Sequence, residues 1–213
     1  MKVFETKEFE KKTLAINNPL MMAPDEVHDT IVELLRLAAK PDEAENMEEL
    51  IGYMEENGFF KSPCSGANHL AVHGGLARHS LNVLTTMEAM GLALVGSRVT
   101  YGDIILCSLL HDLGKMGDHG KPNYVPNFLK SGAISTAKPY TTTDELPYMD
   151  HEVRSLMIAE RYITLTPEQE QAILYHNGLY GSFKYQIPGK ETPLYLLLHF
   201  ADMWASHVTE VHK

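Results

Sequence analysis

The stretch Thr100–Lys115, TYGDIILCSLLHDLGK, constrains the fold of this chain more than any other. From Ile104 to Leu110 it carries no charge, yet the run is far shorter than the roughly 20 apolar residues that span a bilayer. A helix that is apolar on every side must be enclosed by other elements. The sequence predicts a buried helix ended by the glycines Gly114 and Gly117, with His111 and Asp112 closing it against the interior.

The segments around it supply the enclosing helices. DEVHDTIVELLRLAA places Val27, Ile31, Leu34, Leu35 and Ala38 at helical spacing behind Pro24, and NMEELIGYMEENG is a shorter helix stopped by Gly58. GGLARHSLNVLTTMEAMGLAL predicts a long helix carrying Leu76, Leu81, Val83, Leu84 and Met87. Later helices are expected in MDHEVRSLMIAERYI, in TPEQEQAILYH with a capping-box start at Thr166, Pro167 and Gln169, and in TPLYLLLHFADMWASHVTEV behind Thr192 and Pro193.

Residues 116–149 break this pattern, with four prolines and three glycines in 34 positions. AISTAKPYTTT within them reads as strand or hairpin. An irregular connection of that length is expected to be a lid or a substrate loop. With no internal repeat and few strand signals, the expected class is all-α, about seven helices in one bundle with one long irregular loop or β-hairpin.

Charge and thiol content narrow the function classes. A net charge of -10 argues against nucleic acid or anionic membrane as partner, because polyphosphates reward basic faces. Cys64 and Cys107 lack metal-type spacing and read as free, partly buried thiols of a reducing cytoplasm. The charged amino terminus lacks the apolar core of a signal peptide, so a soluble cytoplasmic protein is expected.

Five polar contexts interrupt the apolar segments. His79 follows GGLAR, His111 and Asp112 close the buried helix, His151 opens a helix, His176 ends one, and Asp202 sits among Leu196, Leu197, Leu198, Phe200, Ala201 and Trp204. Taken singly, such a histidine is a helix-end residue bonded to a carbonyl. Taken together, imidazoles and carboxylates on rigid helices are the donor set of first-row transition metals, and a buried carboxylate wants a cation. Lys115, four residues after His111, would share the face of the pair and present an ammonium to a bound anion, or else be a helix-end lysine favoured by the macrodipole. Arg154 follows His151 by one turn, and Lys121 and Tyr124 lie in the irregular loop; these are the further candidates for substrate contact, against readings as surface or loop residues.

In order and context, His79, HDLGK at His111–Lys115, and Asp202 in LHFADMWA resemble the HD-domain metal-dependent phosphohydrolases, and His151 and His176 resemble the two-metal branches of that superfamily. The likeness runs from about Leu70 to Ser206. It implies a single HD-like domain over 1–213, with an N-terminal extension at 1–24, accessory helices at 25–66 and a metal-binding core at 67–209. It further implies one ion on His79, His111, Asp112 and Asp202 and a second on Asp112, His151 and His176, with Asp112 as the bridge. The ions would be divalent Mn, Fe, Co, Ni or Zn, one or two per chain.

The activity implied is hydrolysis of a phosphoester or phosphoanhydride bond in a small, nucleotide-like substrate by a metal-activated hydroxide, with Asp112 and Lys115 as the catalytic residues. YHNGLYG lacks the His-His-Glu and Gly-Tyr-Pro signature of the cyclic-dinucleotide branch, which argues against that substrate. Three other readings share the pattern: an HD-fold di-iron oxygenase, a non-catalytic nucleotide- or protein-binding module, and an exonuclease-like hydrolase that the net charge disfavours. The other histidines, His28, His69, His119, His199, His207 and His212, match no family position, and His199 is placed by geometry alone to support a ligand. Asp118 and His119 are left outside the metal shell.

Overall fold

The computed structural model describes residues 18–94 and 98–211. Residues 1–17, most of the expected extension, lie outside them, as does His212.

Among the described residues there are seven α-helices: α1 (Pro24–Ala38), α2 (Ala44–Glu56), α3 (Gly75–Leu94), α4 (Tyr101–Leu110), α5 (His151–Ala159), α6 (Pro167–Tyr175) and α7 (Pro193–Trp204). Three start on threonine caps, where Thr100, Thr166 and Thr192 accept hydrogen bonds from the amides of Asp103, Gln169 and Tyr195. Each satisfies an amide that the first helical turn leaves without a partner.

α4 is the buried axis of the fold, with every residue from Ile104 to Leu110 shielded from solvent and α1, α3, α6 and α7 packed around it. Its two sides feed different apolar clusters. Ile105, Leu106, Leu109 and Leu110 join α1, α2 and the first half of α3, while Ile104 and Cys107 join Val83, Met87 and the inner face of α7. Burying each of these large side chains contributes about 1.5–3 kcal/mol. Both cysteines are free and fully buried, deeper than the sequence suggests.

α4 ends earlier than the sequence predicts. The last helical residue is Leu110, His111 is the cap, and Asp112 leaves helical geometry at φ -107°, ψ 13°. The amide of Gly114 donates to Ser155 Oγ on α5 at 2.8 Å, which takes it out of the α4 ladder. Leu113–Lys115 then forms a 3-10 turn.

Between α4 and α5 the chain forms two small antiparallel pairs where one hairpin was expected: β1 (Gly117–Asp118) with β2 (Lys121–Pro122), and β3 (Tyr124–Pro126) with β4 (Tyr140–Thr142). β4 falls in the segment read as strand. The β1–β2 turn is His119-Gly120, both with positive φ (53° and 73°), the conformation whose twist suits a two-residue hairpin. Asp118 anchors this hairpin to the turn after α5 and to α2 by pairing with Arg161 at 2.6 and 2.9 Å and accepting from Tyr53. No described helix is long and apolar enough to cross a membrane.

Candidate metal centre

His79 comes from the second turn of α3, His111 from the cap of α4, Asp112 from the turn that follows, His151 from the start of α5, His176 from the cap of α6 and Asp202 from α7. Their side chains converge on the Asp112 carboxylate. Asp112 Oδ2 lies 3.3 Å from His111 Nε2 and 3.5 Å from His79 Nε2, and Oδ1 lies 3.3 Å from His151 Nε2 and 3.4 Å from His176 Nε2. Asp202 Oδ1 closes the group at 3.1 Å from His79 Nε2. The structure thus brings together all six residues that the sequence singled out as ligands.

The proton positions follow from the outer partners. His111 Nδ1 is 2.8 Å from Ser108 O and His176 Nδ1 is 2.8 Å from Ile173 O. A carbonyl only accepts, so each Nδ1 carries a hydrogen, and in the neutral ring each Nε2 turns its lone pair toward Asp112. His79 is oriented in the same way, its Nδ1 donating to the Glu210 carboxylate at 3.0 Å. This carboxylate–histidine relation is the outer support usual for metal-binding imidazoles.

Imidazole nitrogens facing a carboxylate need a cation between them, a proton or a metal ion. His79 Nε2, His111 Nε2 and Asp112 Oδ1 are buried without a hydrogen-bond partner, and each such orphan costs about 1–3 kcal/mol. The donor set therefore fits a divalent metal ion. Two overlapping triads have ligand atoms within 4.8 Å of one another, His79 with His111 and Asp202, and His111 with Asp112 and His176. His151 fits less simply. Its Nε2 accepts from Asn177 Nδ2 at 3.1 Å, and the orientation of that amide is fixed by donation to Glu152 Oε1 at 2.6 Å.

Burial and charge set the protonation. Burial pushes His111 down and His151 well below the usual imidazole range, which favours their neutral form. Against burial, Cys64 and Glu210 raise His79 well above that range and Asp112 raises His176, so those two must give up an Nε2 proton to ligate. Burial would raise Asp112, but Lys115 and His111 outweigh it and hold the carboxyl well below its ordinary range. Asp202 is lowered against its burial by His79. Cys64 is also opposed by burial, yet His79 and Lys115 bring its thiol down to about 7.

Lys115 Nζ sits 2.6 Å from Asp112 Oδ2, through the 3-10 turn rather than along a shared helix face. A cavity of about 460 Å³ opens beside His151, lined in part by Tyr124, Arg154, Asn123 and Tyr148. Arg154 is buried and donates to Pro147 O at 2.8 Å and Asn123 Oδ1 at 3.3 Å, so it fastens the cavity wall. Lys121 is not brought to the centre. It is exposed, and its Nζ donates to Glu145 O at 3.0 Å. His199 Nδ1 donates to His176 O at 2.7 Å, which places it behind a candidate ligand as its position suggested.

Cys64, His69 and Glu210 were not singled out from the sequence. Cys64 Sγ is 3.2 Å from His69 Nε2, and these two with His79 form a third group within ligand distance. A Cys and a His five residues apart give a faint local signal; Glu210 gives none, because its partner is 131 residues away.

No protein-family model, curated protein or solved structure matches this chain. Functional assignment therefore rests on the site itself. The buried His/Asp/Cys group could hold a metal ion.

Proposed function

We propose that the chain is a metal-dependent phosphohydrolase of the HD-domain type, acting on a phosphoester or phosphoanhydride of a small, nucleotide-like molecule. The observation that carries this reading is the convergence of imidazole lone pairs and two carboxylates at Asp112, with the Lys115 ammonium 2.6 Å from Oδ2. The order of these residues in the chain, and the Lys that follows the His-Asp pair, support the same family.

His79, His111, Asp112 and Asp202 would hold one ion, and Asp112 with His176 would begin a second position that His151 completes on release from Asn177. A divalent ion there supplies Lewis acidity toward a phosphoryl oxygen and lowers the pKa of water. Lys115 offsets negative charge that grows on the phosphoryl oxygens, an effect strong in a site screened from water. Arg154 holds the 142–150 wall in place and so orients whatever enters the cavity. The net charge of -10 favours a small substrate over a nucleic acid.

The test is metal analysis of protein purified without chelator, followed by phosphate release from a nucleotide and phosphoester panel with manganese, cobalt or nickel. Asp112→Ala should lose both metal and turnover, and His151→Ala should keep the first ion and lose the second. Oxygen uptake coupled to turnover without phosphate release would replace this reading with the di-iron oxygenase. Metal binding with no turnover of any panel member would point to a binding module.

A further inference from the structure

Cys64 is placed unlike Cys107. Cys107 is packed among Val83, Met87, Ile104 and other apolar side chains, whereas Cys64, equally buried, belongs to neither apolar cluster. Its Sγ lies near three polar groups: His69 Nε2 at 3.2 Å, Lys115 Nζ at 3.9 Å and Asp112 Oδ2 at 4.0 Å. The backbone holds it there. Cys64 N donates to Leu70 O at 3.1 Å and Ser65 Oγ donates to His69 O at 2.8 Å, which closes residues 64–70 into a loop. That loop is pressed onto the start of α3, where a Cβ on Gly75 would lie 2.1 Å from Leu70 O.

The loop therefore presents a thiol and an imidazole to His79 as a fixed pair. Ligand atoms of Cys64, His69 and His79 lie within 4.8 Å of one another, and His79 Nε2 is buried with no hydrogen-bond partner. Sulfur and nitrogen ligands of one tetrahedral zinc ion are separated by about 3.5 Å, given metal–sulfur and metal–nitrogen bonds of about 2.3 and 2.0–2.1 Å. A hydrogen bond between Cys64 and His69 alone would leave His79 Nε2 unsatisfied.

We propose that Cys64 Sγ is a ligand of the ion held at His79, with His69 beside it, so that the centre has a sulfur side and selects a thiophilic divalent ion, zinc or cobalt, over manganese. The inference rests on the metal-centre part of the reading above and is independent of phosphate hydrolysis. On binding, the S–H bond is replaced by a sulfur–metal bond and the proton leaves to solvent. Thiolate is a soft donor, so adding it to nitrogen and oxygen ligands shifts preference away from the hard manganese ion.

Cobalt(II) makes this visible. Protein stripped of metal by a chelator and reloaded with cobalt is read at two wavelengths ranges, the visible d–d bands that report any bound cobalt and the near-ultraviolet band that reports thiolate-to-cobalt charge transfer. Wild type should show both. C64S and C64A should retain the d–d bands, lose the charge-transfer band, and show a zinc-over-manganese preference reduced roughly tenfold or more in competition. C107S should keep the charge-transfer band, and circular dichroism checks that each variant is folded. Cobalt uptake by wild type without the charge-transfer band overturns the Cys64 assignment and leaves the His/Asp centre standing, as does a band that survives in C64S. No cobalt uptake at all overturns the metal centre and this inference with it.

Discussion

Glu210 is the residue whose removal tests the centre with least disturbance to its packing. Its carboxylate accepts from His79 Nδ1 at 3.0 and 3.1 Å and from Asn82 Nδ2 at 2.8 Å. Glu210→Gln keeps an acceptor of the same size but removes the charge that fixes the His79 tautomer and raises its basicity. Zinc or cobalt affinity should fall about 10–100-fold, measured by competition with a chromophoric chelator, while the fold is retained. An unchanged affinity would mean that His79 does not ligate. The contrast between Glu210 and the six expected ligands shows what single residues disclose in sequence. His79, His111, Asp112, His151, His176 and Asp202 each interrupt an apolar helical segment, so local pattern exposes them. Glu210, Cys64 and His69 gain their meaning only from partners brought close by the fold, and no local spacing encodes those contacts.

At the scale of elements, the threonine-capped starts of α6 and α7 were legible because the capping residue and the amide it satisfies lie within one turn. The end of α4 was not, because the group that captures the Gly114 amide is Ser155, 41 residues onward. That joint is testable. A Cβ at Gly114 would meet His151 O at 2.3 Å and Arg154 Cβ at 2.9 Å, so Gly114→Ala must push the start of α5 away from the turn that carries Asp112. A loss of about 1–3 kcal/mol in urea denaturation is expected, with weaker binding of the proposed second ion because His151 moves with α5. The hairpin anchor gives a second element-scale prediction. Burial would raise the Asp118 carboxyl, but its hydrogen bonds to Arg161 and Tyr53 bring it down to about 2, below the roughly 3.9 of an unfolded chain. A depressed folded-state pKa contributes stability above about pH 4 and loses it as pH falls toward 2. With 31 % of the Arg161 side chain facing solvent, screening limits the contribution to about 1–1.5 kcal/mol. Asp118→Asn should be less stable than wild type by that amount at pH 7, and the gap should narrow as the pH of the urea melts is lowered toward 3; a gap independent of pH would assign the effect to packing instead.

For the whole molecule, the helical character and the number of helices could be read from periodicity, but which helices meet could not, since the same apolar stripes allow many pairings. The pairing matters because the cradle draws on α3, the turn after α4, α5, α6 and α7, and so spans both apolar clusters. An ion ligated across them binds the folded chain and not the unfolded one. Free metal at about 1,000 times its dissociation constant then adds about 4 kcal/mol to folding, and for a domain of this size each kcal/mol raises Tm by about 2–4 °C. Chelation should therefore lower Tm by about 8–16 °C. Variants separate ligation from packing. Leu50→Ala, in the apolar core on α2 and not among the residues of the centre, should cost about 2–5 kcal/mol in both loaded and stripped protein and leave the difference between their Tm values intact. Asp202→Asn should abolish that difference, because α7 then no longer joins the ligated set. If the difference survives in Asp202→Asn, the ion is held by α3, α4 and α6 alone, and the two clusters are coupled by their shared burial of α4 rather than by metal.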